Sequence, residues 1–143
     1  MPLTLTLNSQ LKKLFGTLTK TNGKKRYDIF LDGKIIGTTA LEKADAPMGV
    51  VFGQIHFSNI DVDYNFIKRY CLENNIELVN DYPEDKLIST HTIENLIVVN
   101  EKGVEIKGLG NQISGMDGDE FEITVNGVAY PFFEEEFPHH VSA

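Results

Sequence analysis

The sequence predicts an α+β fold: a largely antiparallel sheet of meanders and hairpins with one main packed helix at about residues 60–74. Three observations carry this. Apolar and polar residues alternate in several short runs, the period of a half-buried strand. Asn-Gly and Asp-Gly pairs separate several of those runs and favour the positive φ angles of two-residue hairpin turns. Only residues 60–74 place apolar side chains along a helical stripe. A β-barrel closed by the helix is the structural rival.

The elements follow in order. Leu3, Leu5 and Leu7 alternate with threonines and read as a strand. Ser9 to Phe15 reads as a short helical turn. Thr17–Thr21, Asn22-Gly23 and Arg26–Leu31 read as strand, turn, strand, and Asp32-Gly33 turns again before Lys34–Thr38. Thr39 and Glu42 have capping-box spacing, but Pro47 stops any helix within a turn. Met48 to Phe57 reads as a buried strand, with Gly49 and Gly53 marking a bulge or a close backbone approach.

In the helix, Ile60, Tyr64, Ile67 and Cys71 share one face. Asp61 and Asp63 lie near its start and Lys68 and Arg69 later, as the helix dipole prefers. Asn74-Asn75 supplies a left-handed stop. Ile76–Val79 reads as a short strand, and residues 81–85 around Pro83 as a loop. Leu96–Val99 and Val104–Lys107 flank a turn at Asn100–Gly103. Leu109 to Asp119, with three glycines, reads as a long loop. Phe121, Ile123 and Val125 mark a strand. Asn126-Gly127 then turns into Val128–Phe133, an edge strand because Pro131 lacks an N–H. This gives a single domain over 1–133 and an acidic, then His-containing, tail over 134–143.

The chain has 143 residues, 41% hydrophobic and 24% charged, which suits one soluble domain that needs no disulfide or metal to hold a core. No apolar run reaches the roughly 18 residues of a membrane span. The N-terminal residues lack a basic start followed by an apolar block, so no secretory signal is read there. The lone cysteine, Cys71, has no partner within the chain. A cytoplasmic protein without membrane association is expected.

Thirteen basic and 21 acidic residues give a net charge of −8. Residues 1–43 hold eight bases and three acids, whereas residues 44–143 hold five bases and 18 acids. Nucleic-acid binding gains affinity by releasing counterions from many phosphate contacts. The cluster Lys24-Lys25-Arg26 is too small for that, and no basic stripe interleaves with aromatics. Nucleic acid is therefore set aside as the main partner. The acidic part would steer a basic protein partner, and Glu134-Glu135-Glu136 is either a solvated run or its landing site. Homo-oligomerisation through edge strands is a further expectation, with the strand after Asn126-Gly127 as the edge.

No catalytic residue is assigned. The thiol of Cys71 falls on the apolar stripe, where burial makes it inert. There is no Gly-x-Ser-x-Gly elbow, and Gly108-Leu109-Gly110 does not continue into a phosphate-binding fingerprint. Asp117-Gly118-Asp119-Glu120 lacks the alternating ligands of a calcium loop. His139 and His140 are possible imidazole ligands. In an extended chain, however, adjacent side chains point apart, and a third ligand would have to come from His56, His91 or a distant carboxylate. No metal and no cofactor are expected.

Two segments are the binding candidates. In Asp45-Ala46-Pro47-Met48-Gly49, Pro47 fixes φ and Gly49 permits geometry barred to other residues. Loops on rigid scaffolds carry recognition, and Met48 is an adaptable apolar contact. The second segment contributes Phe137, His139 and His140. Leu41-Glu42-x-x-Asp45-x-Pro47-Met48-Gly49, together with Phe137-Pro138-His139-His140-Val141, resembles a group of small uncharacterised bacterial proteins. The resemblance implies a bacterial, soluble, single-domain protein and brings no activity with it. The reading is a non-catalytic interaction module: an adaptor, an accessory subunit or an immunity-type protein. The alternative is a small enzyme or ligand-binding domain with a pocket between the two segments, in which Asp45 or Glu42 orients His139 or His140 as a base.

Overall fold

The computed structural model describes residues 25–141. The strands expected at Leu3–Leu7 and Thr17–Thr21, the turn at Ser9–Phe15 and the Asn22-Gly23 turn lie outside the described residues. In chain order the strands are β1 (Tyr27–Leu31), β2 (Lys34–Thr39), β3 (Lys43–Asp45), β4 (Val50–Gln54), β5 (His56–Phe57), β6 (Leu78–Tyr82), β7 (Leu87–Thr90), β8 (Leu96–Val99), β9 (Gly110–Met116) and β10 (Phe121–Asn126). The helices are α1 (Tyr64–Glu73), α2 (Phe132–Glu136) and α3 (Pro138–Val141).

Asp32 and Gly33 take φ of 51° and 79°, so the turn between β1 and β2 has the positive angles that an Asp-Gly pair favours. The four-stranded sheet runs β5-β2-β1-β8, and the six-stranded sheet runs β3-β4-β10-β9-β7-β6. Every neighbouring pair is antiparallel. Both sheets feed one core: Tyr27, Ile29 and Val98 from the first meet Val51, Ile113 and Ile123 from the second. Phe57 and Phe121 join the sheets through an edge-on ring contact at 5.6 Å. The fold class is α+β with α1 as its main helix.

The helix starts four residues later than its apolar pattern suggests. Asp63 is extended, and its carboxylate accepts the Phe66 N–H at 2.9 Å, which satisfies a donor that the first turn cannot. Ile60 lies before the helix and is 95% exposed. Tyr64, Ile67 and Cys71 form the buried stripe, and α1 lies against β7. Asn75, with φ of 56°, makes the left-handed stop.

Several segments differ from the sequence reading. Residues 48–57 are not one strand. Met48 ends a tight 3-10 turn, β4 belongs to the six-stranded sheet and β5 to the four-stranded one. Ile55 at the switch donates its N–H to Phe121 O at 2.7 Å. The expected loop at 109–119 contains β9, which sits between β10 and β7. The loop expected at 81–85 begins inside β6, and β6 and β7 form a hairpin. Residues 104–107 make one isolated bridge, Val99 to Glu105, rather than a strand.

Val128–Phe133 is not an edge strand either. The chain leaves β10, passes a cis Tyr130-Pro131 peptide and enters α2. β10 itself is flanked on both sides, by β4 and β9, and offers no edge for self-pairing. Residues 132–141 form α2 and α3, and Phe133 and Phe137 are fully buried. Phe133 and, within the expected tail, Phe137 stand at i and i+4 and close one side of the core.

Candidate functional site

The Asp45–Gly49 segment is held from behind. Ala46–Met48 forms the 3-10 turn with Pro47 near its start, and Gly49 closes it at φ 68°, its N–H bonding Ala46 O at 3.0 Å. That left-handed angle suits glycine. A side-chain carbon at Gly49 would also stand 2.6 Å from Val128 O. The same closeness lets Val128 donate its N–H to Gly49 O at 2.7 Å. The Tyr130 hydroxyl donates to Ala46 O at 2.8 Å. Two bonds from residues 128–130 thus fix the back of the turn. Its front is open: Asp45 and Pro47 are exposed, and Met48 is 68% exposed.

The C-terminal segment docks on the core and reaches Leu41. Phe137 packs its ring against Tyr27 at 5.8 Å, Phe133 at 5.3 Å and His140 at 5.9 Å. His140 Nε2 lies 2.8 Å from Leu41 O. A carbonyl only accepts, so Nε2 carries the proton. The rings of His139 and His140 lie with centroids 4.1 Å apart and planes tilted by 44°. The expectation that they point apart rested on an extended chain, and α3 is helical. His139 titrates below the usual imidazole range, through burial first and then the nearby charges of His140 and Lys25.

The connection between Asp45–Gly49 and Phe137–Val141 is indirect: Tyr130 bonds Ala46 and stacks on Phe133, which packs against Phe137, and His140 reaches Leu41, ahead of the turn. The structure does not build the expected dyad. The Glu42 carboxylate is taken up by the Gln54 N–H at 3.0 Å, and among the described residues no hydrogen bond or ion pair joins a carboxylate to either imidazole. Among the described residues no group of three or more His, Cys, Asp or Glu is placed to hold a metal ion. The cleft beside the C-terminal helices, about 210 Å³, includes no residue of Asp45–Gly49.

That cleft is lined by Glu136, which the sequence presents only as part of a solvated or partner-binding run. Glu136 is the innermost of its acidic run, with 13% of its side chain exposed. Tyr27 Oη donates to its Oε2 at 2.9 Å and Asn100 Nδ2 to its Oε1 at 3.0 Å, while Lys25 Nζ stands 3.5 Å from Oε2. Burial, and then the hydrogen bond to this carboxylate, push the Tyr27 hydroxyl far above the usual phenol range. Glu136 thus fastens α2 to β1 and to the turn after β8. Helical spacing was the available signal: Phe133, Glu136 and Phe137 share one face.

What remains outward is a mixed surface. Met48 and Tyr130, the latter 47% exposed, supply apolar area. Asp45, Glu134 and Glu135 are exposed acids on the same joined segments. Among the described residues, no helix is long and apolar enough to cross a membrane. Comparison of the chain with protein-family models, with curated proteins and with solved structures gave no match in any of the three.

Proposed function

We propose that the chain is a protein-interaction module that docks a basic protein through the surface around Met48 and Tyr130. It acts as an adaptor, accessory subunit or immunity-type protein, bacterial as its two sequence segments imply and cytoplasmic as its composition implies. The observation that carries this is an exposed methionine on a turn pinned through Gly49 to Val128 and through Ala46 to Tyr130. An anchor already ordered before binding loses less entropy on docking. Methionine adapts to an irregular partner surface, and tyrosine is favoured at interfaces. Charge supports a basic partner: residues 25–141 carry all 21 acids but only nine of the 13 bases, so the field speeds encounter with a cation-rich protein.

A second reading, a ligand site or small enzyme, rests on the close approach of the His139 and His140 rings. Burial favours the neutral form of His139, the form in which an imidazole can accept a proton.

A photo-crosslinking side chain at position 48 of the whole chain tests the first reading. In bacterial cells it is expected to capture one basic protein. The same group at Leu72, which is 64% exposed on α1, is expected not to. Converting Glu134 and Glu135 to lysine should weaken the capture. No adduct at position 48, or equal adducts at both positions, would refute the reading.

A further inference from the structure

β6 ends the six-stranded sheet: β7 pairs with one side of it, and among the described residues no strand lies on the other. An outermost strand presents a row of N–H and C=O groups without ladder partners. The other outer strands offer less. β3 spans three residues, β5 spans two, and β8 already carries the bridge from Val99 to Glu105. With five residues, β6 is the longest open edge among the described residues.

This edge is only lightly guarded. Its pairing register shifts between Leu78 and Asn80, and no proline interrupts it. Asp81 does not guard it, because that carboxylate turns toward α1, where the Tyr64 hydroxyl donates to it and Lys68 Nζ lies 2.9 Å away. Val79 and Tyr82 remain 50% and 54% exposed. Glu77, Glu84 and Asp85 are exposed at the two ends of the strand, and Lys86 is the one Lys or Arg between residues 76 and 91.

We infer that the β6 edge is a strand-addition site for an extended, basic segment of a protein partner. The backbone ladder would supply affinity, Val79 and Tyr82 would meet alternate side chains of the added strand, and the exposed acids, Glu84 and Asp85 foremost because Glu77 lies 3.9 Å from His91, would select lysine or arginine. The same acids decide against a second copy of the chain. Pairing two β6 edges would set carboxylates against carboxylates, and like charges across a strand pair are destabilising. The site lies at the opposite edge of the sheet from β3, which leads into the Met48 turn, so it stands or falls independently of the surface proposed above.

The test uses the ¹⁵N-labelled full chain and a decapeptide of alternating lysine and valine at low salt. Amide signals of residues 78–82 are expected to shift and their hydrogen exchange to slow. A glutamate–valine decapeptide is expected not to bind. The double variant E84K/D85K alters only exposed turn residues and should weaken binding roughly tenfold, as should rising salt. Met48→Ala should leave the affinity unchanged. Absence of binding, shifts confined to other residues, or unaltered affinity in E84K/D85K overturns the inference. Loss of binding in Met48→Ala overturns it too, by placing the peptide on the other surface. Protection in the free protein of the amides of 78–82 that point away from β7, or a dimer in sedimentation that shields them, also overturns it, because the edge would then be covered.

Discussion

Truncating Phe137 to alanine separates a docked C-terminus from a surface tail. The ring is fully buried and touches Tyr27, Phe133 and His140. An aromatic side chain hides roughly 150 Å² or more, which at about 25 cal/mol per Å² is about 4 kcal/mol. The retained Cβ lowers that figure and the cavity left behind raises it, so the expected loss is about 3–5 kcal/mol. Domains of this size are stable by only about 5–15 kcal/mol, so the variant should approach marginality. Urea unfolding followed by far-UV circular dichroism should show the midpoint falling with an unchanged slope. The thermal midpoint should drop by roughly 10 °C. Val141→Ala, at a side chain 39% exposed, serves as the control and should stay within about 0.5 kcal/mol of the parent. A loss below about 1 kcal/mol for Phe137→Ala would refute the docking of α3 and restore the tail.

Three further outcomes follow from the same geometry. Glu136→Gln offers one acceptor oxygen where Tyr27 and Asn100 both donate, so one donor is left facing an amide; urea unfolding at neutral pH should show a loss of about 1–3 kcal/mol, and an unchanged midpoint would remove Glu136 as a fastening point. The hydrogen bond from Tyr64, and then Lys68, hold Asp81 below the usual carboxylate range. Its contribution to stability is therefore present above the ordinary aspartate value of about 3.9 and is lost as pH falls through the lower, folded-state value. Asp81→Asn should flatten that part of the acid limb in unfolding curves, and an NMR titration midpoint at or above the ordinary value would contradict the geometry. Burial pushes the Cys71 thiol up to about 11, so iodoacetamide should label it only after denaturation; labelling of the folded chain at the rate of a free thiol would show that α1 does not cover it.

Local signals were legible wherever short-range chemistry dominates. Asp32-Gly33 turned as its residue types demand, and the alternation of Phe121, Ile123 and Val125 marked β10. Tyr64, Ile67 and Cys71 located α1, though the start of the helix was set by the Asp63 cap rather than by Ile60. β9 was hidden because its residues answer to neighbours. At Gly115 a side-chain carbon would stand 2.5 Å from Phe121 Cα, and at Gly110 2.5 Å from Thr92 Oγ1. Asn111 and Gln112 donate to Leu96 O and Thr90 O. Close approach and polar satisfaction put loop-like residues in a central strand, and propensity gives way to packing there. At the C-terminus the glutamate run and two prolines masked the Phe133–Phe137 spacing. Of the candidate site, the Pro47 and Gly49 backbone was readable from residue type. The anchoring by Val128 and Tyr130 was not, because those partners lie about 80 positions away in the chain.

The place of β10 between β4 and β9 governs the order of assembly. Before residues 121–126 arrive, the larger sheet exists only as two unconnected pieces, β3 with β4 and the trio β6, β7 and β9. Ribs made early in synthesis must wait for a keystone translated roughly seventy codons after β4. Closing such distant pairings slows folding relative to a chain of neighbouring hairpins, and in that interval β4 and β9 each present an unpaired flank, the moment at which a nascent chain most needs a chaperone.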